Sequence, residues 1–175
     1  MRSTSITLVA LLGATAAHAQ QNEHEKAESA EAAKNAPALA TALKDAKISL
    51  AGGIKAAEKE GTPISAKFEV EDGKLQLSVY TMKVDKFSEV VVDPKSGKIA
   101  KTEAISSGDD LSAAKKQADA MAKTKRSLFD VVTKTEKANI GFKVVSVAPE
   151  LENGVAEADV SLLKGTDSKQ IDEKL

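Results

Sequence analysis

VVVDPKSGKI, Val90 to Ile99, sets three β-branched residues ahead of a five-residue turn, Asp93-Pro94-Lys95-Ser96-Gly97, and then starts a second apolar strand. Asp93 can accept hydrogen bonds from the backbone amides of its own turn, Pro94 presets one backbone dihedral, and Gly97 supplies the positive φ that closes the loop. The stretch therefore predicts a hairpin joining a strand over Phe87 to Val92 with one that begins at Lys98. Its place in a larger plan follows from the residues on either side.

Upstream, Ala66, Phe68 and Val70 alternate with Lys67, Glu69 and Glu71, the period-two pattern of a half-buried strand. Asp72-Gly73 is a hairpin turn signal, so Leu75 to Val84 pairs back on that strand. Before it, Leu39, Ala42, Leu43 and Ala46 share one helical face. Leu50, Ile54 and Ala57 continue the pattern to a stop at Gly61-Thr62-Pro63.

The same order recurs downstream. An offset of 78 residues places Ser49-Leu50 on Ser127-Leu128, Ile54 on Val132 and Glu58-Lys59 on Glu136-Lys137; three residues more bring Asp72-Gly73 onto Asn153-Gly154 and Val79 onto Val160. Asp109 or Asp110 caps a helix to about Lys123, and Leu128, Val131, Val132 and Thr135 form the face of the next. A duplicated unit follows. The expected fold is α+β, with two tandem helix-helix-antiparallel-sheet units, residues 37–105 and 106–175, and helices packed on one face of the sheet. The second unit has no counterpart of the aspartate-turn-glycine signature after Leu163, so its closing hairpin is expected to be degenerate.

Residues 1–19 carry Arg2, an apolar run from Ile6 to Leu12 and a small-x-small pattern ending at Ala19, the signature of a signal peptide cleaved before Gln20. Gly13, the threonines and His18 interrupt the run too early for a membrane span. A periplasmic or secreted protein with no membrane insertion is expected. Residues 20–36 hold no apolar side chain larger than alanine and read as a disordered or frayed tether. Glu23-His24-Glu25 within it is better explained as a solvated charge run than as a metal site, since no fourth ligand accompanies it.

Charge and residue inventory exclude several functions. The 175 residues carry 25 basic and 26 acidic side chains, interleaved. That balance argues against a nucleic-acid partner. With no cysteine, and with both histidines lying before residue 25, a folded site has no imidazole base, no thiol nucleophile and no common zinc set. Glu69 with Glu71 and Glu150 with Glu152 alternate outward beside turns, unlike an acid/base pair held in an apolar pocket. Gly52-Gly53 lacks the surrounding spacing of a phosphate loop, which leaves close helix packing as its reason. No enzyme, cofactor or metal is expected.

Val92 to Ile99 resembles the closing signature of PepSY domains, which end in valine-aspartate, a small turn, a serine or threonine followed by glycine, and an apolar strand. Ile48-Ser49-Leu50 with Ile54, Ala57 and Glu58 resembles the opening helix of that family. The resemblance covers about residues 47–102. It implies an exported bacterial protein whose Asp93, Pro94 and Gly97 are structural, and a proposed inhibitory or protease-regulating role. The tandem plan is also similar in fold to β-lactamase inhibitory proteins, an analogy only. With the chain ending at Leu175, inhibition is expected to act in trans.

The expected function is thus a non-catalytic exported binding module that inhibits or regulates a secreted or periplasmic hydrolase. The alternative is an envelope protein that binds or senses small ligands or metal ions, for which the acidic clusters are the only warrant. If Leu77 and Val79 face the helices, then Gln76, Ser78, Tyr80 and Met82 face away. Tyr80, Met82 and Phe87 are the candidate partner contacts, because aromatic and methionine side chains are enriched at protein interfaces. The competing reading has Tyr80 and Met82 covering an edge of the core.

Overall fold

The computed structural model describes residues 36–175. The expected signal peptide, residues 20–35 of the expected tether and the Glu23-His24-Glu25 triplet lie outside the described residues. A helical segment 36–42 (α1) runs into a 3-10 turn, Leu43–Asp45, and α2 follows over Leu50–Ala57. Four strands come next, β1 (Thr62–Glu71), β2 (Lys74–Lys83), β3 (Lys86–Val92) and β4 (Ile99–Ile105). Two helices, α3 (Gly108–Met121) and α4 (Leu128–Ala138), lead to β5 (Lys143–Glu152), β6 (Val155–Lys164) and β7 (Asp167–Lys174).

The turns are where local chemistry puts them. Asp72 and Gly73 adopt φ of 49° and 73°, Asn153 and Gly154 φ of 50° and 81°, the positive pair that a type I′ hairpin needs. Both α2 and α4 start on a serine cap. The Ser49 Oγ accepts from the Gly52 amide at 3.2 Å, and the Ser127 Oγ accepts from the Asp130 amide at 3.1 Å. Helix α3 differs from expectation: its cap position is Ser107, with no side-chain hydrogen bond, and Asp109 and Asp110 lie inside the first turn, where they complement the helix dipole.

The expectation of two tandem helix-helix-sheet units is corrected by the strand order. All seven strands of the described residues form one antiparallel sheet, β4-β3-β2-β1-β5-β6-β7. The central pair is β1 with β5, Ala66 opposite Val147 and Lys67 opposite Ser146, so hydrogen bonds run through the point where two units would have separated. The main core is likewise common to both halves. Leu50 and Ile54 of α2 and Leu128, Val131 and Val132 of α4 share it with Ala66, Leu77, Val79, Val90, Val147, Val160 and Leu162. Each large aliphatic side chain buried there contributes about 1.5–3 kcal/mol, and a shared core buries those at the junction that a separate half would leave exposed.

The expectation of helices on one face is also corrected. Leu77 and Val79 point into the core under α2 and α4. Tyr80 and Met82 alternate to the other side, where they pack with Ile64 and Phe87 against Ala114 and Ala118 of α3. Helix α3 therefore crosses the opposite face, and Ser65 donates to Gln117 Oε1 at 2.7 Å to tie it there. The apolar stripe of α3 is narrow and mostly alanine. That is the stripe a helix needs to lie flat on a sheet over one small cluster, not to enter a large core.

Candidate docking face

The second face of the sheet, on the side of α3, divides into a covered end and an open end. At the covered end Met82, Phe87 and Ile105 are cross-strand neighbours, and all three pack in the α3 cluster. Phe87 is 8% exposed, so its ring is a foundation for α3. Met82 and Tyr80 are half-buried in the same cluster. Of the three residues singled out in the sequence, Tyr80 alone also borders the open end.

Register builds the open end. The two-residue turn sets Glu71 opposite Lys74, hence Glu69 opposite Gln76 and Lys67 opposite Ser78, with Tyr80 opposite Ser65 and Glu89. These polar side chains bind one another. Lys67 Nζ lies 2.7 Å from Glu69 Oε2, the Ser78 hydroxyl donates to Glu69 Oε1 at 2.9 Å, and the Gln76 amide donates to Ser78 Oγ at 3.0 Å. Ser78 is fully buried beneath them.

The electrostatics are those of a half-buried network. Burial would lower the Lys67 ammonium, but the hydrogen bond to Glu69, with Tyr80 and Glu89 nearby, outweighs it and holds the group above its ordinary value. Burial pushes the Tyr80 hydroxyl up to about 12, against the pull of Lys67. The phenol stays protonated at physiological pH, a neutral donor beside a fixed ion pair.

The Asp93 turn lies away from this network and is structural. Asp93 Oδ1 accepts from the amides of Lys95 at 3.2 Å and Ser96 at 2.6 Å. Gly97, at φ 71°, donates its amide to the Asp93 carbonyl at 2.8 Å. The Pro94 carbonyl accepts from the amides of Lys47 and Ile48 at 2.9 and 3.3 Å, which anchors the chain entering α2. Hydrogen bonds from Ser96 hold the Asp93 carboxyl below its ordinary value of 3.8. A folded value below the unfolded one means that the carboxylate stabilises the fold above that ordinary value, and that this contribution disappears as pH falls through the folded value. Asp93→Asn is expected to be less stable than the parent at pH 7, with the gap narrowing as pH drops below 3.8. Urea midpoints across pH check this, and a gap that stays constant refutes it.

Among the described residues no three histidine, cysteine or acidic side chains converge as metal ligands, and no helix is long and apolar enough to cross a membrane. A cleft of about 330 Å³ opens between Ile48, Phe68, Glu136 and Phe142. Glu136 Oε1 there accepts from the Val144 amide at 3.3 Å, which gives the carboxylate the role of capping the start of β5. Glu69 is likewise committed to Lys67 and Ser78. No family model, curated protein or solved structure matches the chain.

Lys67 and Glu69 are the site residues that sequence reasoning passed over. It placed them correctly as outward-facing, but a solvated charge and a member of a fixed network look the same along one strand. The signal that could have found them is Asp72-Gly73. A two-residue turn fixes the register, and the register brings 67, 69, 76 and 78 together.

Proposed function

We propose that the protein is a non-catalytic, exported binding module that docks a secreted or periplasmic hydrolase on the open end of the second sheet face and regulates it. The observation that carries this reading is the Lys67-Glu69-Gln76-Ser78 network beside Tyr80. Its side chains are held by one another before any partner arrives, so little rotamer freedom is left to lose on association. A polar array with a half-buried aromatic at its border suits protein contact, where charge placement sets specificity. The PepSY-like turn string and the export-type N-terminus are the further support for an envelope partner. The absence of histidine and cysteine beyond residue 25 favours binding over turnover.

The test is capture of envelope hydrolases on the immobilised protein, followed by assay of each captured enzyme with and without it. Tyr80 and Met82 are poor control positions because they support α3. Lys67→Glu is the better variant, since it replaces an attraction to Glu69 with a repulsion at a half-buried position outside the α3 cluster, with far-ultraviolet circular dichroism as the control for folding. The expected result is a captured hydrolase whose rate changes on adding the parent, with the affinity weakened at least about tenfold by Lys67→Glu. Equal binding by parent and variant removes the site, and no effect on any hydrolase removes the function.

A further inference from the structure

We infer that β4 is a docking edge for a second copy of this chain, the two copies pairing antiparallel about a two-fold axis at Thr102 so that their sheets become continuous. Among the described residues the strand order leaves two edges, β4 and β7. The C-terminal end of strand β7 is tied to the rest of the molecule. The Lys174 carbonyl accepts from Arg126, Glu173 lies 3.7 Å from Lys134, and the Leu175 amide donates to the Ala156 carbonyl at 3.0 Å. Among the described residues strand β4 pairs with β3 alone, and residues 100–104 are all exposed. Such an edge offers a row of backbone donors and acceptors to another strand, and proteins usually blunt it with charge, proline or a bulge; the one bulge of β4 falls at Ala100, at the end of the strand and outside the central Lys101-Thr102-Glu103. On β4 the two charges match each other, Lys101 and Glu103 at 2.7 Å, and there is no proline.

The order of residues supplies the identity of the partner. Ala100-Lys101-Thr102-Glu103-Ala104 reads the same in both directions once opposite charges count as complements. A two-fold interface requires this, since each residue must suit the residue that its symmetry mate meets. Antiparallel pairing about Thr102 sets Lys101 against Glu103 of the second copy, twice, with alanine against alanine outside them. Directly opposed residues share a sheet face, and an axis normal to the sheet keeps faces aligned when a residue opposes itself, as Thr102 does. The register shift where Val91 meets Lys101 and Val92 meets Ile99 makes Ala100 a bulge at one end of the palindrome. Ile99 and Ile105 belong to the two separate cores and take no part.

Local charge favours the same partner. Glu103 stands opposite Glu89 of β3, a like-charge contact that Lys101 offsets in one chain and that a second lysine would offset further. Cross-strand pairs of opposite charge stabilise a sheet and like pairs oppose it. Because Lys101 and Glu103 lie on the second face, pairing also sets the two proposed docking faces side by side.

Sedimentation velocity of the full chain over a concentration series tests the inference, with far-ultraviolet circular dichroism as the control for folding. The expected mass rises from one copy to two, and the midpoint moves to higher concentration as salt is added, because the pairs are exposed. Lys101→Glu and Glu103→Lys each weaken self-association by at least about tenfold, since the axis places each clash twice. An equimolar mixture of the two variants restores the two-copy species, as does the reciprocal double variant, which keeps the palindrome. A parent that stays single at every concentration overturns the inference. So do single variants that associate like the parent, or a mixture that does not recover.

Discussion

Phe87→Ala is expected to lower the free energy of unfolding by about 3–5 kcal/mol, the usual range for deleting a buried ring, as read from urea denaturation. For a domain stable by some 5–15 kcal/mol this is a large fraction of the total. The reason is position: Phe87 is 8% exposed and stands beside Met82 and Ile105 in the small cluster that holds Ala114 and Ala118 of α3. Alanine side chains cannot reach into the space left by the ring, so the helix would lose contact instead of repacking. Limited proteolysis should accordingly cut within α3 of the variant before it cuts the sheet. A surface partner contact would behave differently, with stability unchanged and only binding lost.

Gly53→Val is expected to cost about 2–3 kcal/mol, as overpacking of a tight contact typically does. A Cβ at Gly53 would sit 2.2 Å from Leu77 Cδ2 and 2.9 Å from its Cγ, and Leu77 is fully buried, so it has little room to turn away. The adjacent glycine gives the opposite sign. At Gly52 the nearest atom to a new Cβ is Ile48 Cβ at 3.4 Å, an ordinary contact. Gly52→Ala should therefore gain up to about 1 kcal/mol from helix propensity. Thermal or urea midpoints that move together for the two variants would refute the assignment of Gly53 as the point of closest helix-sheet approach.

The elements of this protein were written in local sequence. Alternation over Ala66 to Val70, the serines at 49 and 127, and the Asp72-Gly73 and Asn153-Gly154 pairs act within a few residues, through dihedral preference and short-range hydrogen bonds. They specify strands, caps and turns whatever surrounds them. The inventory leaves residues 25–175 without histidine or cysteine, a fact of residue type alone.

What joins those elements was decided only in three dimensions. The 78-residue offset implied two units, yet β1 and β5 are equally good strands whether each ends a sheet or the two continue one. Pairing them removes two exposed edges and merges two half-cores, a gain that no local window contains. Helix α3 shows the same limit. Its alanine stripe fits either face, and the cluster of Ile64, Tyr80, Met82 and Phe87, assembled from β1, β2 and β3, draws it to the second one. Local sequence determined the strands, the turns and the serine caps of α2 and α4, because those depend on near neighbours; the continuous sheet, the crossing of α3 and the open polar face depend on contacts between residues far apart in the chain, and only the tertiary structure decided them.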